Sequence, residues 1–221
     1  MRDLVMQANG KQSKWIAALF LLLAFSVMYI PLFKFPYTFC TISVLAFLFT
    51  WLQDGNIRVL QLKKFTAKDL LITLLAYIVL ECSMDFIVQP AITKLFNEPA
   101  DYSAFTMLKG NTGLYVKWLL LMWLSAAFGE ELFFRSYIIA QLQRILGNKP
   151  VLHIVISAAL FAVPHIYQGV SGAITTFVFG IAFGFIYVRW KNCWINVLVH
   201  GLIDTVFLTL SYLGLTHFYG G

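Results

Sequence analysis

Three short stretches place chemically capable groups inside apolar surroundings. EELFFR (130–135) carries two carboxylates and a guanidinium, FAVPH (161–165) ends on a histidine, and HGLID (200–204) sets a histidine four residues before an aspartate. Each ionised group at the centre of a bilayer costs about 2.5–3.5 kcal/mol on insertion scales. Glu130, Glu131, Arg135, His165, His200 and Asp204 must therefore face one another or a common cavity. A carboxylate beside a histidine in a dry cavity is suited to activating water as a general base. The same Glu130, His165, His200 and Asp204 could instead hold a divalent metal such as zinc, which would activate water directly. The residue types leave both chemistries open, although no H-E-x-x-H helix is present.

Helical spacing divides the roles. Glu131 and Arg135 stand four apart and can pair. Glu130 is turned about 100° from Glu131 on an α-helix, which leaves it to face the cavity. His200 and Asp204 share a face, so Asp204 either orients the imidazole or joins it as a ligand. Pro164 loosens the helix beside His165. At 1.5 Å per residue from the nearest basic anchor, Glu130, His165 and Asp204 lie about 20–24 Å deep, and His200 and Arg135 about 13 Å. That is one slab, at mid-bilayer or on its cytoplasmic side. Glu81 and Asp85 form a second acidic pair, expected to be structural, lining the same cavity or partnering Arg135. His153 and His217 fall near segment ends and are expected to be solvated.

The elements that must position these groups are membrane spans. The chain has 221 residues, 60% hydrophobic and only 12% charged, with 21 Phe and a net charge of +6; its mean hydropathy is +0.79. A soluble domain is about 45–50% apolar and about 25% charged. At about 20 apolar residues per span, seven are expected: 15–33, 35–52, 69–92, 115–141, 150–168, 171–188 and 193–213. The first reads as a retained span rather than a signal peptide, because it is long and no A-x-A-like site follows. The fourth continues through Arg144 to Leu146 and is expected to protrude from the bilayer. Eleven Lys and Arg residues fall on the side of the N-terminus and of the 53–68, 142–149 and 189–192 connections; Lys34, Lys94, Lys109 and Lys117 fall on the other. The positive-inside rule then predicts a cytoplasmic N-terminus and an outward C-terminus in the cell membrane. The whole chain, 1–221, reads as one membrane domain, with a core at 115–213 carrying the motifs. Cys40, Cys82 and Cys193 are too scattered for a disulfide framework or zinc ribbon and read as packing residues. Gly180 and Gly184 form a G-x-x-x-G suited to close helix packing.

The three motifs resemble those of the CAAX prenyl protease and bacteriocin-processing family, also called CPBP or Abi, in which E-E-x-x-x-R, F-x-x-x-H and H-x-x-x-N or H-x-x-x-D follow one another on core helices. Order and spacing match across about 115–210. The resemblance implies an all-α polytopic bundle of about seven helices and an endopeptidase cutting a peptide bond near the membrane. Carried over by position, it implies that Glu130 polarises water with His165 as partner, that His200 and residue 204 steady the oxyanion or complete a metal site, and that Glu131 and Arg135 support them. Asn is the commoner residue where this chain has Asp204, and an ionised carboxylate would repel an oxyanion. The implied partners are a peptide or protein substrate and the lipid bilayer, and no nucleic acid. The competing function is a non-catalytic membrane immunity protein that binds a bacteriocin or its target, needing the cavity but not the water chemistry. A small proton-coupled transporter is a third class, disfavoured because no internal repeat is visible.

Overall fold

The computed structural model describes the backbone of residues 2–216 and the side chains of 14–216. The expectation for His217 therefore lies outside the described residues. The described chain is helical throughout, without a strand. Its helices are α1 (Arg2–Ser26), α2 (Tyr37–Asp54), α3 (Ala67–Ser83), α4 (Gln89–Phe96), α5 (Thr112–Leu121), α6 (Ile139–Leu146), α7 (Pro150–Ala162), α8 (Gly169–Trp190) and α9 (Cys193–Leu213). α3 runs into α4 through a π-helical turn at Met84–Val88, and α5 into α6 through a π-helix at Met122–Ile138.

Local signals fix where the helices start and stop. Thr66 and Asp69 close a reciprocal capping box at the start of α3, satisfying backbone donors that would otherwise be orphaned. Asn111 caps α5 through the Leu114 amide, and Asn192 caps α9 through that of Trp194. Gly55 and Gly214 take the left-handed conformation that ends α2 and α9, at no side-chain cost.

Among the described residues, four helical stretches are long and apolar enough to cross a membrane: Ala67–Phe96, Thr112–Leu146, Pro150–Trp190 and Cys193–Leu213. The third is 41 residues long and folds back on itself. A Cβ on Gly180 would lie 2.9 Å from Ala158, and one on Gly184 2.9 Å from Ile154. The pairing runs in opposite senses along α7 and α8, so the two form a tight antiparallel hairpin, and the glycines serve the close packing expected of them. With α1 and α2 the bundle makes seven passes. Its outer surface carries Trp15, Leu32, Phe86 and Leu95, each at least 75% exposed, as a lipid-facing surface requires. The three cysteines are unpaired; Cys193 is buried and Cys82 exposed.

The passes sort the connections into two ends. At one end Arg144 makes a two-pronged bond to Asp54, at 2.9 and 2.6 Å, and the Cys193 amide donates to the Gln61 carbonyl at 3.0 Å. This is the basic end. At the other, the Asp101 amide donates to the Gln168 carbonyl and the Gly110 amide to that of Tyr212, each at 2.9 Å, while Phe35 stacks on Trp118.

The fourth span runs on to Leu146 as expected, 35 residues in all, and the end of α2 covers its later turns: every residue from 129 to 142 is buried, Gln141 donates to Gln53 at 2.7 Å, and Arg144 is held by Asp54. One expectation is corrected. His153 is not solvated. It is 3% exposed, because the turn before Pro150 folds over it.

Candidate active site

The π-helix at Met122–Ile138 is the pillar of the bundle and carries EELFFR. π-helical geometry is rare and concentrates at functional sites. Its wider turn means each residue rotates less than the 100° of an α-helix, so Glu130 and Glu131 diverge less than the sequence geometry assumed. They nevertheless go to different places. A Cβ on Gly129 would lie 2.8 Å from the Cβ of Phe39, so the glycine lets α2 press directly against the pillar beside the two carboxylates.

Glu131 points into a fully buried network. Its Oε1 lies 3.1 Å from Arg135 Nη1 and accepts from His200 Nδ1 at 2.9 Å. Its Oε2 accepts from Asn196 Nδ2 at 3.2 Å, and the same amide donates to the Phe183 carbonyl at 2.8 Å. Arg135 and Glu131 are both 0% exposed. The Arg135 guanidinium lies 4.0 Å above the Phe161 ring and 5.0 Å from that of Phe183, a geometry in which the ring faces attract the cation. Phe183 also stacks on His200, with ring centres 5.1 Å apart.

This arrangement refines the reading of Asp204. Nδ1 of His200 is oriented by Glu131, 69 residues away in sequence, and not by Asp204. Asp204 stands at the opposite ring nitrogen, 3.6 Å from Nε2, beyond hydrogen-bond length. The structure therefore puts His200 between two carboxylates. Asn196 was missed by sequence reasoning. It lies one helical turn before His200, on the same face as His200 and Asp204, so the four-residue periodicity N-x-x-x-H-x-x-x-D was the available signal.

His165 sits just after Pro164, in a tight helical turn at Val163–Gln168. Its Nδ1 lies 2.9 Å from the Phe161 carbonyl. A carbonyl only accepts, so Nδ1 carries the proton, and the basic lone pair of the neutral ring is on Nε2.

Glu130 is 7% exposed and stands outside the Glu131 network. It lines a cavity of about 390 Å³ together with His165, His200 and Asp204. The structure thus brings all four candidates to one cavity. Glu131 and Arg135 lie behind its wall. Glu81 and Asp85 line the same cavity and do not pair with Arg135, whose ionic partner is Glu131. Asp85 accepts from Gln89 Nε2 at 2.9 Å. Trp118, Phe161, Phe179 and Phe207 supply much of the apolar wall.

Among the described residues, no group of three or more His, Cys, Asp or Glu side chains is gathered to hold a metal ion. Glu131 and the Phe161 carbonyl take the Nδ1 atoms of His200 and His165, which leaves Nε2 as the other nitrogen of each ring. As placed, the residues do not fit a metal.

Comparison with protein-family models matches residues 112–206 to the family described as type II CAAX prenyl endopeptidase Rce1-like, a family of membrane proteases. The matched region contains all three motifs. Comparison with curated proteins and with solved structures gave no match.

Proposed function

We propose that this chain, whose residues 112–206 match the CAAX-type family of membrane proteases, is an intramembrane endopeptidase in which Glu130 activates water. The observation that carries the reading is the division of labour between adjacent carboxylates. Glu131 is committed to Arg135, His200 and Asn196, whereas Glu130 is the carboxylate of the pillar that meets the cavity.

A water held by Glu130 and the Nε2 lone pair of His165 gives up a proton to Glu130 as its oxygen adds to the scissile carbonyl. Protonated Glu130 then returns the proton to the leaving amine, and the C–N bond breaks. His200, held by Glu131 through Nδ1, offers Nε2–H to the developing oxyanion, the kind of preorganised donor that stabilises such charge. Asp204 stands 3.6 Å from Nε2, so a carboxylate at this position assists through His200 and does not itself face the oxyanion.

The test is cleavage of a fluorogenic peptide pool by purified wild-type protein and by Glu130→Gln, with and without chelator. Loss of acid–base help costs about 10²–10⁴-fold. Near-normal turnover by Glu130→Gln would overturn the glutamate mechanism, and absence of turnover by the wild type would favour the immunity-protein reading. Activity abolished by chelator and restored by a divalent ion would return the metal mechanism.

A further inference from the structure

The cavity has a direction. Its lining takes Phe35 from the α1–α2 connection, Tyr102 and Ala104 from the α4–α5 connection, and Tyr167 and Gln168 from the α7–α8 turn. All of these lie at the end opposite the Arg144–Asp54 bridge. No residue of the basic connections 55–66, 143–149 or 191–192 lines it. Between the cavity and the basic end lies a closed layer: Arg135, Asn196, Cys193 and Ile195 are 0% exposed, Phe183 2% and Tyr187 3%. At the mouth, Ala104 is exposed and Tyr167 is 60% exposed.

The charge asymmetry gives this direction a biological side. Arg58, Lys63, Lys64, Lys68, Arg144, Lys149, Arg189 and Lys191 cluster at the closed end, whereas the open end carries Lys34, Lys94, Lys109 and Lys117. Lys and Arg are retained on the cytoplasmic side. We infer that substrate enters from the side of the membrane opposite the cytoplasm, so that the substrate class is an exported or membrane-anchored polypeptide presented there, not the lipidated C-terminus of a cytoplasmic protein. The inference rests on the endopeptidase reading for what is cut, but the direction of the mouth stands on the lining residues alone.

Two arms test it separately. Ala104→Cys and Lys149→Cys, with wild type as blank, are treated with a membrane-impermeant maleimide in right-side-out and in inverted vesicles. Ala104→Cys is expected to label in right-side-out vesicles and Lys149→Cys in inverted ones; the reverse pattern overturns the inference. In the second arm a membrane-impermeant fluorogenic peptide pool is offered to both vesicle types and to detergent-solubilised protein. Cleavage in right-side-out vesicles supports the inference, and cleavage confined to inverted vesicles refutes it. No cleavage even in detergent counts against the endopeptidase reading, while the labelling arm still decides the direction.

Discussion

Removing one charge from the buried Glu131–Arg135 pair is expected to cost far more than removing both. Arg135→Met leaves Glu131 charged at 0% exposure with only His200 and Asn196 to satisfy it, and it forfeits the cation held 4.0 Å above Phe161. Breaking a buried pair from one side costs about 3–5 kcal/mol, a factor of roughly 10² to several 10³ in the folding equilibrium. Glu131→Gln leaves Arg135 as the uncompensated charge, with a similar cost. The double variant Glu131→Gln/Arg135→Met removes both ions and keeps most of the packing volume, and replacement of a whole buried pair by apolar groups is often neutral. With each single change costing about 3–5 kcal/mol and the double change close to neutral, the coupling between the two sites should be about 6–10 kcal/mol in magnitude, above the roughly 0.5–3 kcal/mol usual for residues in one network. The assay is unfolding of the four purified proteins in one detergent, followed by denaturant midpoint. Additivity to within about 0.5 kcal/mol would refute the claim that the two side chains form one electrostatic unit. Peptide turnover adds a second readout: the double variant should be stable yet impaired, because His200 has lost the carboxylate that orients it.

Other outcomes follow from the same geometry. Gly180→Val should loosen the α7–α8 hairpin, since a Cβ there meets the Cα of Ala158 at 2.9 Å; overpacking costs about 1–3 kcal/mol, and an unchanged melting temperature in detergent would contradict the close contact. Asp204→Asn should lower turnover by about tenfold, the equivalent of about 1.4 kcal/mol, without changing metal content; an activated variant would mean that residue 204 faces the oxyanion directly. Glu81, Asp85, Glu130 and Asp204 line a cavity without a Lys or Arg, so Glu81→Gln should raise KM roughly five- to tenfold for peptides with Lys or Arg near the cut, with little change for neutral ones. Equal effects on both peptide classes would exclude a charge-reading role.

Hydropathy and charge made the passes legible, because lipid demands long apolar helices and leaves basic residues outside. The Glu131–Arg135 pair and the inward turn of Glu130 were legible too, since both depend on spacing within one helix. What lay beyond one helix was not. That His200 would meet Glu131 across 69 residues depends on how α9 packs against the pillar, and no local pattern specifies that docking. The π-helix at Met122–Ile138 was equally hidden, because a hydrogen-bond register of i→i+5 leaves no compositional mark. His153 looked solvated from its position near a span end, and only the fold of the preceding turn, before Pro150, buries it. The cavity's direction was missed for a different reason: depth counted from basic anchors measures distance from one end and says nothing about which end is open.

The proposed hydrolysis within a bilayer would have to admit water without letting the membrane leak. The closed layer of Arg135, Phe183, Tyr187, Cys193, Ile195 and Asn196 separates the cavity from the basic end. Its central charges neutralise one another, and the Phe161 and Phe183 rings flank the guanidinium, so neither a continuous file of water nor an unbalanced charge offers ions a route across. Under the proposed function the Glu131 network would also be an insulator, letting an aqueous reaction run on one side of a layer that stays dry.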